Sequence, residues 1–82
     1  MNDIDKLPRL RAAVLKHIIK CGKRGATCEE IENALDLRHQ SASARVNELM
    51  NTGRIMVGGR RDTSSGRGAF VWVEATVWAR RA

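Results

Sequence analysis

Residues 27–53, TCEEIENALDLRHQSASARVNELMNTG, hold two short amphipathic segments separated by only a few residues, and their reading decides the fold. Thr27 and Glu30 have capping-box spacing, in which each side chain satisfies the other's backbone N–H, so a helix starts here. Ile31, Ala34 and Leu35 lie on one side of it, Glu29 and Glu30 sit against the positive end of its dipole, and it ends near Asp36 and Leu37. In the next segment Ala42, Val46, Leu49 and Met50 fall at i, i+4, i+7 and i+8 until Gly53 offers a C-cap glycine. The expectation is helix, short turn, helix.

Working outward, Leu7, Leu10, Val14, Ile18 and Cys21 form one stripe of an earlier helix over residues 7–21, with Pro8 tolerated in its first turn and Gly22 able to end it. Residues 22–26 read as a basic, glycine-flanked turn. Beyond Gly53, residues 54–57 are β-branched, residues 58–68 are rich in Gly, Ser and Arg, and residues 70–73 are apolar and β-prone. This predicts two strands joined by a long basic loop. Glu74 shares parity with Phe70 and Trp72, which points Val71 and Val73 to the core. The fold class expected is α+β, three helices followed by a two-stranded hairpin. With 82 residues it forms one domain, with an ordered core over 7–73 and tails at 1–6 and 75–82.

Composition narrows function. Hydrophobic residues at 43% and charged residues at 29% suit a folded domain rather than a disordered chain. Fifteen Lys and Arg against nine Asp and Glu give +6, a surplus that attracts polyanions, nucleic acid foremost. Neither a long apolar run nor a basic, apolar leader is present in the sequence, so a cytoplasmic, nucleoid-associated location is expected, in a host cell's cytoplasm if the chain is phage-encoded. His17, Cys21, Cys28 and His39 match no closed zinc spacing, and His17 reads as a core-edge histidine. No metal and no cofactor are expected. G-x-S-x-G, P-loop and H-E-x-x-H patterns are all missing from the sequence, which leaves enzymatic activity without support.

Ile31, Leu35, Leu37, Ser41, Ser43, Arg45, Val46, Glu48, Leu49, Gly53 and Ile55 together resemble the helix-turn-helix core of small bacterial and phage-encoded winged-helix DNA-binding proteins. Residues 61–67, with Val71 and Trp72, are similar to the arginine-bearing wing of phage-like members of that group. The resemblance spans nearly all of residues 7–73 and departs at Arg38, where Ser or Thr is the usual cap. It implies a third helix lying in the major groove of duplex DNA, a wing beside it, and a role in transcriptional regulation.

Helical geometry selects the reading residues. Opposite Ala42, Val46 and Leu49 lie Gln40, Ala44, Asn47 and Asn51, flanked by His39, Ser41 and Ser43. Amide side chains match adenine N6 and N7, so Gln40 and Asn47 lead, Ala44 permits close approach, and His39 and Ser43 read or position. Ser41 reads as a local cap or backbone contact, and Arg45 as a phosphate contact ahead of an ion pair with a neighbouring carboxylate. Arg60, Arg61 and Arg67 are the wing's candidate DNA contacts, Arg67 first. Lys16, Lys20, Lys23 and Arg24 fit a phosphate track and a solvated helix face equally. Two copies on neighbouring half-sites would add specificity, with Trp72, Val77 and Trp78 as candidate homodimer contacts. The alternative is a protein-interaction module acting on host transcription or replication machinery. Weak duplex affinity and an exposed apolar patch around Trp72 and Trp78 would mark it.

Overall fold

A computed structural model describes residues 6–64 and 66–75. Three helices, α1 (Arg9–Cys21), α2 (Cys28–Leu35) and α3 (His39–Asn51), precede two strands, β1 (Ile55–Asp62) and β2 (Gly68–Glu74), paired antiparallel. This is the expected order. No helix among the described residues is long and apolar enough to cross a membrane. Val77 and Trp78 lie outside the described residues.

The capping box forms as read: Thr27 Oγ1 accepts from Glu30 N at 3.2 Å, and Thr27 N donates to Glu30 Oε1 at 3.2 Å. Asp36 closes α2 in the left-handed region (φ 55°), a conformation that Asp tolerates better than most residues. Leu37 N then donates to the Glu32 carbonyl at 2.9 Å, and the chain turns into α3 after Arg38. Arg38 gives α3 no side-chain cap, and Ser41 lies inside the first turn rather than at the cap.

Ala12, Val14, Leu15, Ile18, Ala26, Ile31, Ala42, Val46, Leu49 and Ile55 form the core. Three details differ from the periodicity. In α1 the buried arc reaches Leu15 and Ala12, leaving Leu10 and Cys21 half-buried. At about 100° per residue this widens the expected stripe by a third of a turn, because α1 packs on α2, α3 and β2 together. In α2 the inner side is Cys28, Ile31 and Leu35, so Ala34 is exposed. In α3 Met50 falls outside the arc centred on Ala42, Val46 and Leu49 and is exposed.

The hairpin departs further. The Gly- and Arg-rich stretch expected as a long loop is mostly strand, for pairing continues to Asp62↔Gly68 and leaves only five residues between the strands. A bulge at Gly58, between the Val57↔Trp72 and Gly59↔Val71 pairs, makes this work. One extra residue reverses the side-chain parity. Arg61 therefore shares the face of Val71 and Val73, while Arg60 joins Phe70 and Trp72 on the other. Val71 and Val73 are buried and Phe70 is exposed, as the parity of β2 predicts.

Residues 22–26 are more than a turn. A short 3-10 segment, Gly22–Arg24, delivers Ala26 to the free edge of β2, where Ala26 N donates to the Trp72 carbonyl at 2.9 Å and Trp72 N to the Ala26 carbonyl at 2.8 Å. The connection between α1 and α2 is thus pinned to the hairpin, and half-buried Trp72 packs against the core.

Candidate nucleic-acid interface

The side of α3 opposite its buried residues is open. Gln40 and Asn47 are exposed at its centre, Ala44 lies on the same outward row and is half-buried, Ser43 is half-buried at the flank, and Asn51 extends the polar row. Ala42, Val46 and Leu49 anchor the other side, so the helix cannot rotate without exposing three apolar side chains. A rod about 10–12 Å across with uncharged donors and acceptors on its outer side fits a groove about 12 Å wide.

Charge on this helix is arranged by ion pairs. Glu48 is the acceptor for two arginines: Arg45 approaches at 2.6 Å and 3.0 Å through Nε and Nη2, and Arg11 of α1 at 3.1 Å through Nε. Arg45, expected first as a phosphate contact, is held in an ion pair instead, because Glu48 lies three residues on along the same side of α3. The two guanidinium groups hold the Glu48 carboxyl down to about 2, and Glu48 in turn raises the basicity of Arg45. The helix's carboxylate is therefore neutralised beside its polar face.

A pH dependence follows from that pairing. A carboxyl depressed on folding contributes stability above its unfolded value, here 4.5, and loses it as pH falls toward about 2. Urea unfolding of the wild type between pH 6 and about pH 2 should therefore show a decline in stability that is smaller in Glu48→Gln. Parallel curves for the two proteins would contradict this assignment.

In the hairpin the three arginines have different fates. Arg61 turns inward, donating to Glu30 Oε1 at 2.9 Å and to the Gly25 carbonyl at 3.2 Å. These two contacts make Arg61 an internal clamp between β1 and the start of α2, its Nε buried with them. Arg60 is exposed and lies over the Phe70 ring, 5.4 Å from the centroid, within cation–π range. Arg67 is exposed at the turn, where its carbonyl accepts from Thr63 N at 2.8 Å and from Thr63 Oγ1 at 3.0 Å.

A second clamp joins the turn to α2: Ser64 donates to Glu29 through N at 3.0 Å and Oγ at 2.8 Å, bonds that lower the Glu29 pKa. The acidic first turn of α2 is thus occupied by the hairpin, Glu29 by Ser64 and Glu30 by Arg61. These clamps link residues 31 and 35 positions apart, so no local pattern announces them. The Arg45–Glu48 pair, by contrast, has i,i+3 spacing that the sequence displays.

His39, expected at the reading face, leans toward α2 instead: its Nδ1 lies 2.7 Å from Glu32 Oε2 and 3.9 Å from Cys28 Sγ, although the ring stays 73% exposed. Burial, with the Glu32 carboxylate beside it, pushes the Cys28 thiol up to about 11, so it is a neutral thiol rather than a nucleophile. His17 and Cys21 form a separate pair on α1 at 3.7 Å. The four residues read together from the sequence therefore divide into two places, and Glu32 joins one of them.

The fold and its surfaces define a small protein of three helices and a cationic hairpin, with an uncharged polar helix face turned outward. Comparison of the chain with protein-family models, curated proteins and solved structures finds no match.

Proposed function

We propose that this chain is a winged helix-turn-helix protein that binds double-stranded DNA sequence-selectively and acts in transcriptional regulation. The α2–turn–α3 unit is the helix-turn-helix, α3 is the reading helix, and β1–β2 is the wing. The observation that carries this reading is the outward placement of Gln40, Ala44 and Asn47 on a helix fixed by three buried residues on its opposite side. The +6 charge and the pairing of Glu48 with Arg45 and of Glu30 with Arg61 reduce repulsion of a phosphate backbone. Arg60 and Arg67 supply the exposed wing cations.

Selection of bound duplexes from a random pool, followed by titration of the enriched site at several salt concentrations, tests the proposal. Arg67→Ala should weaken binding to every duplex and lower the slope of log affinity against log salt by about one, the counterion release expected per phosphate contact. Arg61→Ala should leave that slope unchanged, since Arg61 is engaged by Glu30. An unchanged slope in Arg67→Ala takes the wing off DNA. Failure of the chain to bind any duplex in dilute buffer overturns the proposal in favour of a protein-interaction module.

A further inference from the structure

From the convergence of Cys28, Glu32 and His39 at the corner between α2 and α3, we infer a binding site for a divalent transition-metal ion of the zinc class. The three residues come from two elements. Cys28 and Glu32 are one helical turn apart on α2, so their side chains project from the same side, and His39 is the first residue of α3. The tight turn through left-handed Asp36 brings the two helices' ends together. The potential ligand atoms, one from each residue, all lie within 4.8 Å of one another.

The distances suit a small tetrahedral ion. With metal–sulfur near 2.3 Å and metal–nitrogen and metal–oxygen near 2.0–2.2 Å, tetrahedral angles place sulfur and nitrogen about 3.6 Å apart and nitrogen and oxygen about 3.4 Å apart. Sγ and Nδ1 stand 3.9 Å apart, so they need to approach by only a few tenths of an ångström. Nδ1 and Oε2, now 2.7 Å apart, separate by somewhat more as the ion takes the place of the hydrogen between them. The rotatable, 73% exposed His39 side chain can make that movement without disturbing the core.

Ligand chemistry selects the ion. A sulfur, an imidazole nitrogen and a single carboxylate oxygen disfavour Mg²⁺ and Ca²⁺, which take oxygen sets, and favour Zn²⁺, Co²⁺ and related ions. On binding, Cys28 releases its thiol proton to water and the His39 ring carries its one N–H on Nε2, which frees the Nδ1 lone pair for the ion, so thiolate and carboxylate balance the dication. The exposed side of His39 leaves a fourth position for water. An ion held this way fastens the first residue of α3 to α2.

The inference does not depend on the DNA-binding reading, because its test contains no nucleic acid. The reduced full chain is titrated with Co²⁺ while the thiolate-to-cobalt charge-transfer absorption and the tetrahedral cobalt bands are followed, and Zn²⁺ is then added. One equivalent of Co²⁺ should produce both signals, and Zn²⁺ should abolish them. His39→Ala, at an exposed position, should bind at least about 10-fold more weakly, since even disturbing a ligand's supporting hydrogen bond costs roughly 10–100-fold. Cys28→Ser should remove the charge-transfer signal, whereas Cys21→Ser, in the His17–Cys21 pair, should keep it. The site is refuted if saturating Co²⁺ gives no charge transfer, if Cys21→Ser rather than Cys28→Ser removes it, or if His39→Ala titrates like the wild type.

Discussion

Gly25→Ala should destabilise the protein by about 2–6 kcal/mol, with the urea midpoint falling sharply. Two independent costs meet at this residue. Its backbone angles, φ 67° and ψ −169°, lie in a region that is essentially reserved for glycine, and an alanine held there costs about 1–3 kcal/mol. A Cβ would also stand 2.5 Å from the Trp72 carbonyl oxygen, 2.6 Å from Val71 Cγ1 and 2.8 Å from Val73 Cγ1. Overpacking of that kind adds about 1–3 kcal/mol, and here the obstruction includes backbone. The strand edge cannot retreat freely, for Ala26 and Trp72 are joined by two hydrogen bonds beside the contact. A domain of this size has about 4–12 kcal/mol in total, at about 0.05–0.15 kcal/mol per residue, so the substitution removes a large share. Gly22→Ala is the control: it too has positive φ (59°), but nothing lies within 4 Å of its Cβ, and only the backbone cost applies. Equal losses in the two variants would show that the approach of residue 25 to β2 is not what makes glycine necessary there.

The same residue shows where reading the sequence stops. Features written in adjacent positions were legible: the Thr27–Glu30 box, the end of α2 at Asp36, the Ala42–Val46–Leu49 stripe and the parity of Val71 and Val73 all came out as expected. These depend on helical or strand periodicity and on caps, which act within a few residues. What stayed hidden depends on contacts between distant segments. Ala26 has no strand neighbours in sequence, yet it completes an edge of β2. Arg60 and Arg61 look alike within a Gly- and Arg-rich stretch, but the bulge at Gly58 sends one to solvent and the other to Glu30. Charge composition located the cationic segment without telling which cations were already engaged. For the candidate site, the outward positions of Gln40 and Asn47 followed from the helical period alone. The position of His39 against Cys28 and Glu32 required the turn between the helices.

On the proposed reading, the double substitution Gln40→Ala/Asn47→Ala should abolish preference for the selected duplex while leaving the fold and its non-specific affinity intact. Each amide that pairs with a base edge is worth about 1–3 kcal/mol of discrimination. The two residues are seven positions apart, about 10.5 Å along the helix, far enough for their contributions to be nearly additive. The expected loss is therefore about 2–6 kcal/mol, from about 30-fold to about 10⁴-fold in affinity for the preferred site. Both side chains are exposed and alanine is a strong helix former, so unfolding free energy should change by no more than about 0.5 kcal/mol. That separation matters because a loss of binding through unfolding would affect all duplexes. Neither amide carries charge, so the salt slope on random DNA should match that of the wild type, in contrast to Arg67→Ala. If the double variant loses equal affinity for selected and random duplexes, α3 is a non-specific contact rather than a reader. If it keeps full preference for the selected duplex, the specificity arises from another surface, and the outward amide face has no part in recognition.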